Sequence, residues 1–178
     1  MLEKIKLDYD FDVFLKADYT VHNGSCISHQ VHELKDIHES YGGFPDSYSK
    51  SNTQICQLWF DNTQVDYKEF EKQLGIEVVT VSSILQPPGN TVPVHRDTFF
   101  QIRKRFPEDT RLKVRANIYL EDWNIGHFIQ YEIDNEWHDS THWSAGDGFV
   151  WDDKHLHLSS NAGMHNKYTL QISGFLVR

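Results

Sequence analysis

The chain has 178 residues, two cysteines and a formal net charge of −9. This length suits one domain that buries enough surface to fold without covalent or metal cross-links. Hydrophobic residues make up 39% of the chain and charged residues 24%, which is typical of a globular protein and excludes a disordered one. The acidic excess repels phosphate backbones, so we expect no nucleic-acid partner.

The cysteines and the N-terminus bear on the cellular compartment. Cys26 and Cys56 lack the paired spacing of a metal site, so we expect neither a disulfide framework nor a structural zinc. The first residues lack the apolar run and cleavage site of a secretory signal, and no stretch is apolar enough to cross a membrane. We therefore expect a soluble cytoplasmic protein without a membrane partner.

Residues 1–75 mix helical and extended signals. Apolar residues at helical spacing predict a helix over 28–41, followed by a loop that begins with two glycines. Residues 54–60 predict a strand. Residues 66–74 predict a short helix that ends at Gly75.

The rest of the chain is dominated by short strands separated by turns. The predicted strands span 77–85, 92–95, 112–120, 127–133, 136–138, 148–151, 156–159 and 168–177. This spacing is typical of a jelly-roll or barrel. We predict a mainly β single domain over 1–178. Its core is a double-stranded β-helix, jelly-roll or cupin-like, over 76–178, with flanking α-helices outside it and residues 1–75 as a mixed support.

His95 and Asp97 lie two positions apart in a segment that is predicted to be extended. Side chains at i and i+2 of a strand share a face, so an imidazole and a carboxylate would converge. They supply two of the three ligands of a 2-His-1-carboxylate triad, which leaves open positions on Fe(II). The same pair also occurs on exposed strands in solvent, and the tripeptide alone does not separate the two interpretations.

A third ligand would come from the segment that ends at His157. His155 and His157 share a face if this segment is extended, so periodicity favours neither of them. An exposed polar turn is the alternative interpretation.

Two cations could bind an anionic co-substrate. Lys167 opens the last predicted strand, and Arg115 lies on a strand where Asn117 and Tyr119 share its face. A barrel with a polar interior and a packed outer face accounts for that pattern. An amphipathic strand with Arg115 in solvent accounts for it equally well.

Taken together, these segments resemble the 2-oxoglutarate/Fe(II) oxygenases, most closely their aspartyl/asparaginyl β-hydroxylase-like branch. The residues that carry the resemblance are Trp143, Gly146, Trp151, Asp152, Asp153, His157 and Asn161, in the family's order and spacing. The stretch over 83–89 that leads to His95 also looks like the family's entry to its first histidine. The resemblance covers residues 77–178.

The resemblance implies a metal site and a co-substrate site. His95, Asp97 and His157 would hold Fe(II) as the catalytic centre, which selects His157 over His155. Lys167 would bind the far carboxylate of 2-oxoglutarate, at a position where most relatives carry arginine.

Two further residues, Ser83 and Arg115, fall where the family contacts the co-substrate. The resemblance therefore implies that they assist Lys167 in binding 2-oxoglutarate. The aromatic side chains of Trp123 and Trp151 could shield the site or pack in the core.

The implied activity is that of a dioxygenase that uses Fe(II), 2-oxoglutarate and O2. It would hydroxylate an unactivated C–H bond of an amino acid or peptidyl side chain and release succinate and CO2, so the partner is a small molecule or a peptide. Two other classes compete. One is a cupin-type metal enzyme that does not use 2-oxoglutarate, with His155 as an added ligand. The other is a non-catalytic jelly-roll binding module.

Overall fold

The computed structural model of the chain describes residues 1–20, 26–28 and 54–177. The described strands are β1 (Leu2–Lys6), β2 (Cys26–Ser28), β3 (Gln54–Phe60), β4 (Ile76–Gln86), β5 (Asn90–His95), β6 (Lys113–Tyr119), β7 (His127–Ile133), β8 (Glu136–Ser140), β9 (Asp147–Trp151), β10 (His157–Asn161) and β11 (Lys167–Leu176). The described helices are α1 (Asp12–Leu15), α2 (Tyr67–Leu74) and α3 (Phe100–Arg105). The helix predicted over 28–41 and the loop after it lie outside the described residues, except that Ser28 ends a strand.

The strands form two antiparallel sheets. The larger sheet has the order β1-β9-β6-β11-β4-β3-β2, and the smaller sheet has the order β5-β10-β7-β8. Two antiparallel sheets with few short helices form the jelly-roll core that the strand spacing predicts. The predicted mainly β fold class is therefore confirmed.

The first 75 residues contribute strands to the larger sheet. β1 pairs with β9 near the other end of the chain, and β3 pairs with β4. Helix α2 follows the predicted pattern, since the Asp66 side chain accepts hydrogen bonds from two backbone N–H groups at its start. Gly75 closes it in the left-handed conformation with φ of 63°.

The apolar core lies on one face of the larger sheet. Val114, Ala116 and Ile118 alternate along β6 and are fully buried there. Phe14 of α1 and Phe70 of α2 pack against the same core. The residues between them on these strands point to the opposite face, towards the smaller sheet, because successive strand side chains alternate. The larger sheet therefore has an apolar outer face and a mixed inner face, where polar residues lie beside a second buried cluster that includes Phe149 and Trp151.

Cys56 is disulfide-bonded, and the β2–β3 register places Cys26, the chain's other cysteine, opposite it. The expectation that the chain forms no disulfide is therefore wrong. The two cysteines meet because β2 and β3 pair, and no spacing motif in the sequence indicates that contact. The cytoplasmic location stays a prediction, and no helix in the described part of the chain is long and apolar enough to cross a membrane.

Gly174 lies at a register shift between β11 and β4, where a Cβ would overlap the carbonyl oxygen of Glu77. We expect Gly174→Ala to lower the free energy of unfolding by about 1–3 kcal/mol, because the backbone of β4 has to move. Urea unfolding measures this. Gly89→Ala is the matched control. Its Cβ meets nothing within 4 Å, so its cost is confined to a positive φ and is about 1 kcal/mol. Equal stability of the wild type and Gly174→Ala would contradict the close packing of β11 on β4.

Candidate functional site

His95 and His157 face each other across two paired strands. His95 ends β5, His157 begins β10, and the two residues are directly opposite in the register. The register shifts just beyond them, since Ser159 pairs with Val92. β5 therefore holds one extra residue at Pro93, which cannot donate to the strand ladder. Without that bulge His157 would face Val94, so the bulge brings the two imidazoles together.

Asp97 completes a cluster with the two histidines. One ligating atom from each of His95, Asp97 and His157 lies within 4.8 Å of the others. The two imidazole rings are 4.3 Å apart between centroids. Asp97 and His157 are 5% exposed. The predicted convergence of these three residues is confirmed.

Both imidazoles are set up to bind a metal through Nε2. His95 Nδ1 lies 2.8 Å from the Pro93 carbonyl oxygen, and His157 Nδ1 lies 3.2 Å from that of His155. A carbonyl only accepts, so each Nδ1 carries the proton, and Nε2 is the unprotonated nitrogen that can act as a metal ligand. Burial lowers the pKa of His95 to about 3 and also lowers the pKa of His157. Both rings are therefore neutral at pH 7, as metal ligands require.

Asp97 is ionised because a partly buried arginine compensates its charge. Burial raises the pKa of Asp97, but the Arg115 guanidinium and the nearby histidines outweigh burial and hold that pKa below its usual range. Arg115 Nη1 donates to Asp97 Oδ1, and Trp151 Nε1 donates to Oδ2 at 2.6 Å. Two neutral imidazoles and one carboxylate are a donor set that fits Fe(II) and leaves open positions on it.

His155, the alternative third ligand, lies outside the cluster. Its Nε2 is 3.8 Å from Asp152 Oδ1, and its Nδ1 is 3.4 Å from the Glu132 carbonyl oxygen. The β10 backbone thus directs His157, and not His155, towards His95.

A cavity of about 280 Å³ adjoins the cluster, between the two sheets. Its lining is mixed, with polar and apolar side chains from both sheets. The polar residues include Gln86, Asn117, Ser159, Thr169, Gln171 and Ser173. The apolar residues include Ile55, Trp59, Ile84, Phe99, Ile129 and Leu158. Arg115 also lines the cavity, which confirms a polar interior and excludes Arg115 as a solvated surface residue.

Lys167 is buried beside the polar part of this cavity. Its side chain is 2% exposed, and Nζ donates to Ser159 Oγ and to the Phe128 carbonyl at 2.8 Å each. A third, longer hydrogen bond of 3.3 Å reaches the Ser160 carbonyl. All three acceptors are uncharged, and burial lowers the pKa of Lys167 to about 7. A buried ammonium group held only by neutral acceptors is a favourable place for an anionic ligand.

Ser83 does not lie in the cavity. Its neighbours Ile84 and Ser82 point to the inner face, whereas Ser83 is fully buried and its hydroxyl accepts a hydrogen bond from Tyr19. The expected contribution of Ser83 to co-substrate binding is therefore not supported by its position. The sequence placed Ser83 on the correct strand, β4, but did not show which face of the sheet its side chain occupies.

The structure also reveals two site residues whose roles the sequence did not indicate. The sequence did not decide whether Trp151 shields the site or packs in the core. Its Nε1 donates a hydrogen bond to Asp97, and its ring packs against the His157 ring at 4.3 Å between centroids. Asn117 lines the cavity, and its buried Oδ1 has no hydrogen-bond partner among the described residues. The only signal for Asn117 was that it shares a strand face with Arg115. Trp123 instead donates to the His127 carbonyl, away from the cavity.

The cluster predicts which histidine variant loses metal. We expect His157→Gln to weaken Co(II) binding by more than about 100-fold, since loss of a ligand exceeds the effect of changing an outer-shell partner. His155→Gln, the matched control, retains wild-type affinity. Isothermal titration calorimetry at neutral pH measures both. Loss of binding in His155→Gln with retention in His157→Gln would reverse the assignment.

Comparisons with known proteins find the fold but no sequence relative. No protein-family model matches the chain, and no curated protein matches it. A Pseudomonas putida prolyl-4-hydroxylase structure is similar, with a TM-score of 0.54 and 21% identity over 86% of this chain and 92% of that one.

Two further solved structures are similar at lower identity. The viral collagen prolyl hydroxylase of Paramecium bursaria Chlorella virus-1, in its 2-oxoglutarate complex, has a TM-score of 0.51 and 13% identity over 86% of this chain and 95% of that one. The non-haem α-ketoglutarate-dependent carbocyclase SnoK of nogalamycin biosynthesis has a TM-score of 0.53 and 9% identity over 98% of this chain and 79% of that one. The chain therefore has the fold of 2-oxoglutarate/Fe(II) oxygenases, with a His-X-Asp…His cluster inside it.

Proposed function

We propose that this protein is a 2-oxoglutarate- and Fe(II)-dependent dioxygenase that hydroxylates an unactivated C–H bond and releases succinate and CO2. The observation that carries the proposal is the buried cluster of His95, Asp97 and His157, which adjoins a cavity next to the buried cation of Lys167. A metal-binding triad and a separate cation suit an acid that chelates the metal at one end and carries a carboxylate at the other.

The protein residues bind and orient, while the bound cofactors supply the redox chemistry. Fe(II), together with 2-oxoglutarate and O2, provides the oxidising power for attack on a C–H bond. His95, Asp97 and His157 hold the metal on one side and leave its other side facing the cavity. The apolar residues that line the cavity exclude water from the reacting atoms.

Lys167 is the residue that we propose for the far carboxylate of 2-oxoglutarate. Its longest hydrogen bond, to the Ser160 carbonyl, is the one most easily exchanged for a carboxylate oxygen. Ser159 lines the cavity and already accepts from Lys167 while donating to Gln86 Oε1 at 2.7 Å. Arg115 instead lies at the metal end, where its contact with Asp97 suits a role beside the metal.

The substrate that we propose is an amino acid or peptidyl side chain, as in the aspartyl/asparaginyl β-hydroxylase-like branch. A cavity of about 280 Å³ has to hold both 2-oxoglutarate and the reacting part of the substrate. That volume is at the small end for ligand pockets and favours one side chain over a large ring system. The prolyl hydroxylase names of two similar structures are in keeping with this class.

The proposal is tested by anaerobic titration with Fe(II) and 2-oxoglutarate. We expect a weak visible charge-transfer band that needs both components, and slow succinate formation once air is admitted. Lys167→Met is expected to weaken 2-oxoglutarate binding by about 10- to 100-fold, the loss of a charge-assisted hydrogen bond. Its affinity for Fe(II) stays that of the wild type.

Lys113→Met is the matched control for Lys167→Met. Lys113 Nζ also donates to a backbone carbonyl, that of Asp109 at 2.7 Å. Neither lysine lines the cavity, but Lys167 contacts Ser159, which does, whereas Asp109 does not. We expect this variant to bind 2-oxoglutarate as the wild type does. Iron binding without the band would favour the cupin-type alternative, and absence of iron binding would favour a binding module. Full 2-oxoglutarate affinity in Lys167→Met would refute the role of Lys167.

The lowered pKa of Lys167 predicts how 2-oxoglutarate affinity depends on pH. With a pKa of about 7, Lys167 loses its charge above pH 7, whereas a bound carboxylate favours the charged form. Binding therefore takes up a proton above pH 7, and affinity falls by up to about tenfold for each further pH unit. His127, the titratable neighbour of Lys167, has its pKa lowered by burial and is neutral in this range.

Calorimetric titration of the Fe(II) protein with 2-oxoglutarate between pH 6 and 9 checks this dependence. The affinity for 2-oxoglutarate should fall by at most roughly tenfold for each pH unit above 7. Lys167→Met should bind weakly with a flat profile. An affinity for the wild type that does not change with pH would contradict the proposed proton uptake.

A further inference from the structure

Asp97 is the one member of the cluster that no strand holds. β5 ends at His95 and α3 begins at Phe100, so Asp97 lies on an irregular segment between them. Phe99 on this segment has a positive φ of 50°. A carboxylate on such a segment needs contacts from elsewhere to adopt one orientation before a metal binds.

Two donors from the larger sheet reach across to this carboxylate. Arg115 on β6 and Trp151 on β9 are directly opposite each other in the register. Arg115 Nη1 donates to Oδ1 of Asp97, and Trp151 Nε1 donates to Oδ2 at 2.6 Å. One cross-strand pair therefore holds both oxygens, one with a charged donor and the other with a neutral donor.

Both donors are themselves fixed. Arg115 Nε donates to Ser173 Oγ at 2.9 Å, and its guanidinium carbon lies 5.6 Å from the centroid of the Phe99 ring. Trp151 is 1% exposed, and its ring packs against His157 at 4.3 Å between centroids. Their positions are therefore determined by the packed sheet and not by Asp97.

The two oxygens of Asp97 have different surroundings. Oδ2 lies 3.9 Å from His157 Nε2 and so faces the cluster. Its hydrogen bond from Trp151 occupies one lone pair and leaves another for a metal. Oδ1 is held by Arg115, which keeps it from acting as a second ligand to the same ion. Only a carboxylate that ligates through one oxygen leaves three positions open on a six-coordinate metal.

We infer that Arg115 and Trp151 are positioning residues that orient Asp97 as a ligand through one oxygen. Trp151 sets the direction of Oδ2, and Arg115 restrains Oδ1 and supplies a counter-charge until the metal binds. This inference rests on the metal site of the proposed function but on neither 2-oxoglutarate nor the substrate.

The experiment measures Co(II) affinity and the Co(II) d–d absorption spectrum of purified variants. Trp151→Phe keeps an aromatic ring but removes the N–H donor together with part of the indole, a loss of ring size that the control variant below shares. We expect it to weaken Co(II) binding by about 10- to 100-fold, as changes to outer-shell partners do. The absorption spectrum should change as well, because Oδ2 is no longer held in one direction towards the metal. Trp123→Phe is the matched control, since it removes an indole bond of 2.7 Å to a carbonyl outside the cavity.

Arg115→Gln provides the second arm. We expect this variant to melt at a lower temperature than the wild type without metal, because Asp97 is left buried without its counter-charge. Added Co(II) replaces that charge, so the rise in melting temperature on metal binding should exceed that of the wild type. Arg111→Gln is the control, since it breaks the exposed Arg111–Glu77 ion pair and leaves the response to Co(II) unchanged.

The outcomes separate this inference from the proposed function. Wild-type affinity and spectrum in both Trp151→Phe and Arg115→Gln would overturn it. A wild-type protein that binds Co(II) but gives no band with Fe(II) and 2-oxoglutarate would overturn the proposed function alone. A wild type that binds no metal overturns both. Arg115→Lys keeps the charge but cannot span Ser173 and Asp97, and it replaces Trp151→Phe in the spectral test if that variant does not fold.

Discussion

The two-residue period of the larger sheet is the constraint on which the rest of the molecule depends. Each strand side chain points to the face opposite its neighbours, so one strand can serve two environments. On β6 this alternation sends Val114 and Ala116 into the apolar core and Arg115 towards the smaller sheet. A single sheet thereby supplies the packing that stabilises the fold and the polar wall of the site.

Charges that face the interior of such a structure need partners inside it, and the two cations meet this need differently. Arg115 is neutralised by Asp97, which lies in the metal-binding cluster. Lys167 has only neutral acceptors among the contacts described for it, and its pKa falls accordingly. The charge at one end of the cavity is therefore compensated before any ligand enters, and we propose that the charge at the other end is compensated when a carboxylate binds.

Local pattern was enough to predict most of the fold, whereas the choice of His157 as the third member of the cluster came from the family resemblance. Strands with alternating side chains and the helix between Asp66 and Gly75 are set by neighbours in sequence, and these were predicted correctly. Contacts across strands were not predictable in this way. The face of Ser83, the bond from Trp151 to Asp97 and the disulfide of Cys56 all depend on register, which no single segment encodes.

The bulge at Pro93 and Val94 makes the pairing of the two histidines tolerant of a change in chain length. Before the bulge Val92 of β5 pairs with Ser159 of β10, and after it His95 pairs with His157, so β5 has one more residue than β10 between these pairs. Loss of the codon for either Pro93 or Val94 would restore a regular ladder in which Val92 still lies opposite Ser159 and His95 still lies opposite His157. The inner-face residues of the larger sheet and Lys167 would keep their places. A copy of this chain that is one residue shorter at the bulge would therefore keep the two histidines paired, together with the jelly-roll and its cavity.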